Sequence, residues 1–151
     1  MNPKRRIVIT GLGVVSPIGN NLNDFWQALM EGKSGAGILT AFDSSKFDSH
    51  IAAEVKNFHP ETILNSKQVR RMDRFVQLGV YAAKMAFDDS GIDVAKEDIT
   101  RIGVLVGSGI GGLHTIEEQV EIYLTKGPSR LSPFLIPMLI INMASGQISI
   151  M

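Results

Sequence analysis

The chain has 151 residues, near the usual size of one domain, and 44% of them are apolar, ample for a single core. Lysine plus arginine equals aspartate plus glutamate at 15 each, which removes any general case for a nucleic-acid or acidic-membrane binder and leaves such arguments to local clusters. Cysteine is absent, so no disulfide, zinc thiolate or thiol nucleophile comes from these residues, and the redox compartment stays open.

The N-terminus, MNPKRRIVITGLGVVSPIG, starts basic and turns apolar, as a secretion signal does, but Gly11, Gly13 and Pro17 break the apolar run and no small-residue cleavage site stands out. It reads better as a strand over Ile7, Val8 and Ile9, with a glycine turn leading out. Asn23-Asp24 is the expected cap of a helix, FWQALMEG, that stops at Gly32 and buries Phe25, Trp26, Leu29 and Met30. EGKSG at 31–35 imitates the end of a phosphate-binding loop, yet Gln27 stands where the first glycine belongs and a helix precedes it, so a turn is the expectation. Residues 33–50, rich in Ser, Gly and Asp, read as loop, and Ile51 to Val55 as a short strand.

The longest expected helix starts after Asp73 as its N-cap and runs RFVQLGVYAAKMAFDDSG to Gly91. Phe75, Val76, Val80, Ala83 and Phe87 recur at helical spacing and give it one apolar face. Next come a buried-type strand at 102–106 and a helix LHTIEEQVEIY at 113–123, whose Glu117, Glu118 and Glu121 form a solvated face. Strand, helix, strand, helix, strand, helix favours an α/β sheet covered by helices. FLIPMLIINMA at 134–144 is too short to span a bilayer and is interrupted by Pro137 and Asn142, so it reads as core. The chain ends at Met151 inside an apolar stretch, which implies either a segment seated in another subunit or a chain cut short.

Three features carry candidate chemistry. In RIGVLVGSGIGGLHT at 101–115, Gly107, Gly109 and Gly112 spell a dinucleotide-binding turn. About twenty residues on, where that motif needs an acidic residue closing a second strand, the chain reads GPSRLSPFLIP. The alternative is that the glycines bring a strand-to-helix turn close to other backbone or to a ligand. His50, His59 and His114 are far apart and have no partners at metal or triad spacing, and no serine sits in a nucleophile elbow. Lys67, Arg70, Arg71 and Arg74 cluster at the start of the long helix, where the dipole disfavours cations. Such a patch suits an acidic partner, or is simply a solvated face.

Four blocks, RRIVITGLGVVSPIGN at 5–20, RRMDRFVQLGVYAAKMAFDDSG at 70–91, RIGVLVGSGIGGL at 101–113 and SPFLIPMLIINMASGQISIM at 132–151, closely resemble the beta-ketoacyl-acyl-carrier-protein synthases, most of all the type II enzymes of fatty-acid elongation. The resemblance implies a thiolase-like α/β fold, two similar βαβαβαββ halves in layers, of which residues 1–151 would be an incomplete N-terminal synthase domain. It implies a cytoplasmic homodimer, acyl carrier protein as partner, no cofactor, no metal, no nucleic acid and no membrane span. The family reaction passes an acyl group to a cysteine at a helix N-terminus, and two histidines and a lysine assist the decarboxylative condensation with malonyl-carrier protein. None of those residues has a matching position here, so no catalytic residue is assigned, the 151 residues alone are expected to be inactive, and the natural gene is expected to continue past Met151. By the same resemblance Ile110, with Gly109 beside it, sits at the floor of the acyl pocket, and Phe134 belongs to a segment that meets the second subunit and closes its pocket. Lys67, Arg70, Arg71 and Arg130 match positions that face the carrier, while Ser129 stands where a second cation occurs in the family. The rival is a non-catalytic thiolase-fold partner subunit, chain-length-factor-like, that pairs with an active synthase; an NAD-dependent dehydrogenase is a distant third.

Overall fold

The computed structural model describes residues 6–151, so the basic start of the signal-like stretch, residues 1–5, lies outside the described residues. The helices are α1 (Leu22–Met30), α2 (Ser66–Val69), α3 (Arg74–Ser90), α4 (Leu113–Lys126), α5 (Leu135–Leu139) and α6 (Met143–Ile150), and the strands are β1 (Ala36–Ile38) and β2 (Ile51–Ala53). The chain divides into two compact units, one of residues 6–58 and Lys84–Glu97, the other of His59–Ala83 and Asp98–Met151.

In the first unit α1 begins at Leu22, three residues earlier than the expected start at Phe25. Asn21 is its N-cap, its side chain accepting from the Asp24 N–H at 2.9 Å, so Asn23 and Asp24 fall within the first turn, where an acid suits the helix dipole. Its buried residue is Ala28; Trp26, Leu29 and Met30 are exposed and Phe25 is half-buried, which corrects the expected apolar face. The 31–35 stretch is a turn, with Gly32 at φ +64 and Lys33 paired to Glu31 at 2.6 Å. β1 and β2 form an antiparallel hairpin in the register Ala36–Ala53, Gly37–Ala52, Ile38–Ile51. Glu54 closes the hairpin's loop, accepting from the Thr40 hydroxyl at 2.8 Å and from the Ala41 N–H at 2.8 Å. Residues 11–12 lie along the end of α3. A side chain on Gly11 would run into the Ala86 carbonyl, and the Leu12 N–H donates to Asp89 at 2.9 Å.

The second unit holds the apolar core: Leu64, Met72, Val76 and Val80 are buried, with Val69, Phe75, Met143 and Ile148 packed around them. Val76 and Val80 are one turn apart on α3, the face that the 3.6-residue period marks. Phe87, at the far end of that stripe, is exposed instead. α6 lies on α3 where Gly79 meets Ala144. The 134–144 stretch is only partly core: Ala144 is buried, while Ile136, Ile140 and Ile141 are exposed.

Two expected strands do not form. Ile7 is 88% exposed and Leu105 98% exposed, and β1–β2 is the only ladder between named strands among the described residues. A fully apolar strand is stable only when neighbouring strands take its N–H and C=O groups and both its faces are covered. Within the described residues neither run meets such a neighbour, so the parallel sheet expected from the strand–helix order is absent.

Candidate functional site

Asp73 organises the second unit. It is 6% exposed, and one carboxylate oxygen accepts from the Phe75 N–H at 3.2 Å, capping α3 as expected. The other oxygen accepts from the Thr115 N–H at 3.1 Å and from the Thr115 hydroxyl at 2.6 Å. Thr115 lies in the first turn of α4, whose own cap position is Gly112 and offers no side chain. One buried carboxylate therefore caps two helices, and a negative charge sits where both helix dipoles favour it. Sequence reasoning found the first role and missed the second; the signal was a helix starting at a glycine, whose orphan N–H groups need a partner from elsewhere.

The glycine turn before α4 owes its geometry to Gly111 and Gly112. Gly111 has φ +81, and a Cβ there would lie 2.5 Å from the Leu139 carbonyl oxygen. A Cβ on Gly112 would run into the Met138 carbonyl and lie 3.1 Å from the Asp73 carboxylate, while its N–H donates to the Leu139 carbonyl at 3.0 Å. Gly107 and Gly109 have open space around them. The close approach is thus between this turn and the end of α5, which supports the backbone alternative over the dinucleotide turn.

The basic cluster sits on an elbow rather than wholly at a helix start. Asn65 and Gln68 form a reciprocal capping box for α2, and the Gln77 amide donates to the carbonyls of Val69 at 3.0 Å and Met72 at 2.8 Å, fixing the α2–α3 connection. Lys67 and Arg70 fall in the last turn and C-cap of α2, where a helix end tolerates cations, which corrects the expectation that the whole cluster opposes the dipole. Both are exposed, as is Arg130 in the Pro128–Arg130 turn, and among the described residues none of the three forms an ion pair. The Arg71 guanidinium lies 4.2 Å above the centre of the Phe134 ring. The Gln119 side chain, buried on α4, accepts from the Ser132 N–H at 2.7 Å and so anchors the 127–132 loop that carries Arg130.

The expected pocket residues are not enclosed together. Ile110 is 66% exposed, Gly109 is open, and Phe134 is half-buried beneath Arg71. A cavity of about 640 Å³ in the first unit is lined by Asn20, Asn21, Asp24, Lys33 and Lys56 among others, and by none of them. His59 pairs with Glu61 at 2.9 Å, His50 meets Ser44 at 3.2 Å, and no group of three or more His, Asp or Glu is placed to hold a metal among the described residues. No described helix is long and apolar enough to cross a membrane.

Known proteins share this path of the chain. A ketosynthase/chain length factor for ishigamide superposes with a TM-score of 0.81 at 32% identity, covering 97% of this chain and 37% of that one. A type II polyketide ketosynthase, solved in complex with its acyl-carrier protein, superposes with a TM-score of 0.71 at 27% identity over 95% of this chain and 37% of that one. The fold is thiolase-like, that of the condensing enzymes. Residues 4–151 match the family described as beta-ketoacyl synthase, N-terminal domain, and the chain belongs to that family. The 3-oxoacyl-[acyl-carrier-protein] synthase 2 of Coxiella burnetii is 52% identical over 147 residues, which is 97% of this chain and 36% of the relative. The chain thus spans about a third of the length of the relatives it matches.

Proposed function

We propose that these residues are the incomplete N-terminal domain of a 3-oxoacyl-[acyl-carrier-protein] synthase. The carrying observation is the 52% identity to such a synthase across 97% of the chain. In the complete enzyme an acyl group moves from carrier protein to a cysteine thiolate. Malonyl-carrier protein then loses carbon dioxide, its carbanion attacks the acyl thioester, and the collapse of the tetrahedral oxyanion expels the cysteine. None of these 151 residues is cysteine, so the nucleophile belongs to sequence outside them. The domain's part is to present Lys67, Arg70, Arg71 and Arg130 to an acidic acyl carrier protein and to build one wall of the acyl pocket from Gly109, Ile110 and Phe134. The complete protein works in the cytoplasm as a homodimer. The non-catalytic partner-subunit reading draws on the ketosynthase/chain length factor neighbour, whose 32% identity is well below that of the synthases.

The test is the intact mass of the protein from its native source, before and after treatment with a cysteine-directed ketosynthase inhibitor. A chain markedly heavier than 16.4 kDa that gains one adduct is expected. A mass near 16.4 kDa with no adduct overturns the proposal in favour of a non-catalytic binding role.

A further inference from the structure

Of the four cations expected to face a carrier, Arg71 alone lies on an aromatic ring, 4.2 Å above Phe134, and Phe134 is the N-cap residue of α5. The Phe134 carbonyl accepts the Met138 N–H at 2.9 Å, and at the other end of this five-residue helix the Leu139 carbonyl accepts the Gly112 N–H at 3.0 Å. The turn so held carries Ile110. Between a docking cation and the proposed pocket wall there is therefore one aromatic contact and one helical turn, all within a single compact unit.

We propose that Arg71 is a positioning residue, a clip that holds α5 and the Ile110 turn until an acidic partner draws its guanidinium off the ring. The inference rests on the carrier-docking reading above and adds regulation of the pocket wall by docking. Arg71 is exposed and has no ion pair among the described residues, so nothing but the ring competes for it. A carboxylate or phosphate makes two parallel charge-assisted hydrogen bonds to a guanidinium, a stronger interaction than an exposed cation–π contact, so an arriving acidic group wins Arg71. Lysine would serve the charge but not the flat stacking, which makes the two side chains separable here.

The experiment titrates holo acyl carrier protein at low salt into the complete protein, labelled at isoleucine and leucine methyls and arginine side-chain nitrogens. Phosphopantetheine-free carrier serves as a second probe. On binding, the Arg71 signal is expected to lose its ring-current shift, and the Ile110, Leu135 and Leu139 methyls to move along the same saturation curve. In Arg71→Lys, affinity is expected to stay within about threefold while the methyl response disappears, because charge is kept and the stack is lost. Phe134→Leu is expected to place those methyls near their carrier-bound positions before any carrier is added. Titration of the Arg70 signal with Arg71 and the methyls unmoved overturns the clip and leaves docking standing, as does a full methyl response in Arg71→Lys. No perturbation of Arg70, Arg71 or Arg130 overturns the docking reading, and the clip with it.

Discussion

The Asp73 carboxylate reaches 42 residues along the chain to take both the N–H and the hydroxyl of Thr115, at 3.1 and 2.6 Å. Asp73 also caps its own helix through Phe75, so α3 and α4 share one buried charge. That carboxylate, the glycine beside it and the Arg71 clip two residues earlier set the geometry on which the proposed docking surface depends.

Replacing this carboxylate is expected to be costly. Asp73→Ala leaves the first-turn N–H groups of two helices without a partner in a buried site, and a loss of about 2–4 kcal/mol follows from one cap plus one charged hydrogen bond. Asp73→Asn keeps the shape and an acceptor and is expected to lose about half as much. Urea unfolding monitored by far-UV circular dichroism measures both, and an Asp73→Ala chain as stable as the parent would refute the shared cap.

The glycines of the turn are expected to separate cleanly. Gly112→Ala would press a methyl group onto the Met138 carbonyl and the Asp73 carboxylate and is expected to cost about 2 kcal/mol or more. Gly107→Ala and Gly109→Ala meet nothing within 4 Å and are expected to stay within about 0.5 kcal/mol. Thermal unfolding of the three variants decides the matter; equal losses at all three positions would mean that the turn is held in some other way.

Charge reversal on the elbow addresses the partner. Lys67→Glu with Arg70→Glu is expected to slow association with an acyl carrier protein by about tenfold at low ionic strength, with the difference shrinking as salt shortens the Debye length. Stopped-flow association at two salt concentrations reads this. An unchanged rate would return the cluster to a solvated face.

The hairpin loop is expected to respond to acid. Hydrogen bonding from the Thr40 hydroxyl foremost, then from the Thr40 and Ala41 N–H groups, and the charge of Lys56 hold the Glu54 carboxyl below the ordinary glutamate value of 4.5. A carboxyl with a depressed folded pKa contributes stability that is fully present above its unfolded value and is lost as pH falls through the folded one. Amide exchange at Thr40 and Ala41 is therefore expected to accelerate relative to the intrinsic rate as pH drops below 4.5, and Glu54→Gln to abolish that dependence. An unaltered pH profile in the variant would show that Glu54 does not close the loop.

Local chemistry and resemblance to known chains could be read along the sequence. α3 and α4 are legible because their apolar spacing, the Asp73 cap and the stop at Gly91 all lie within a few turns of the residues they govern. The absence of cysteine and the four family blocks came from the letters alone. Tertiary structure decided everything that needs a distant partner. Whether Ile7–Ile9 and 102–106 become strands depends on neighbours that local pattern does not contain, because a ladder is satisfied only across chains of backbone. Which glycines are obligatory was decided by where α5 ends, and which cation of four is held on a ring by where Phe134 lies. Helix signals are written along the chain within hydrogen-bonding reach of four residues, whereas ladders, shared caps and stacked rings join positions that only folding brings together.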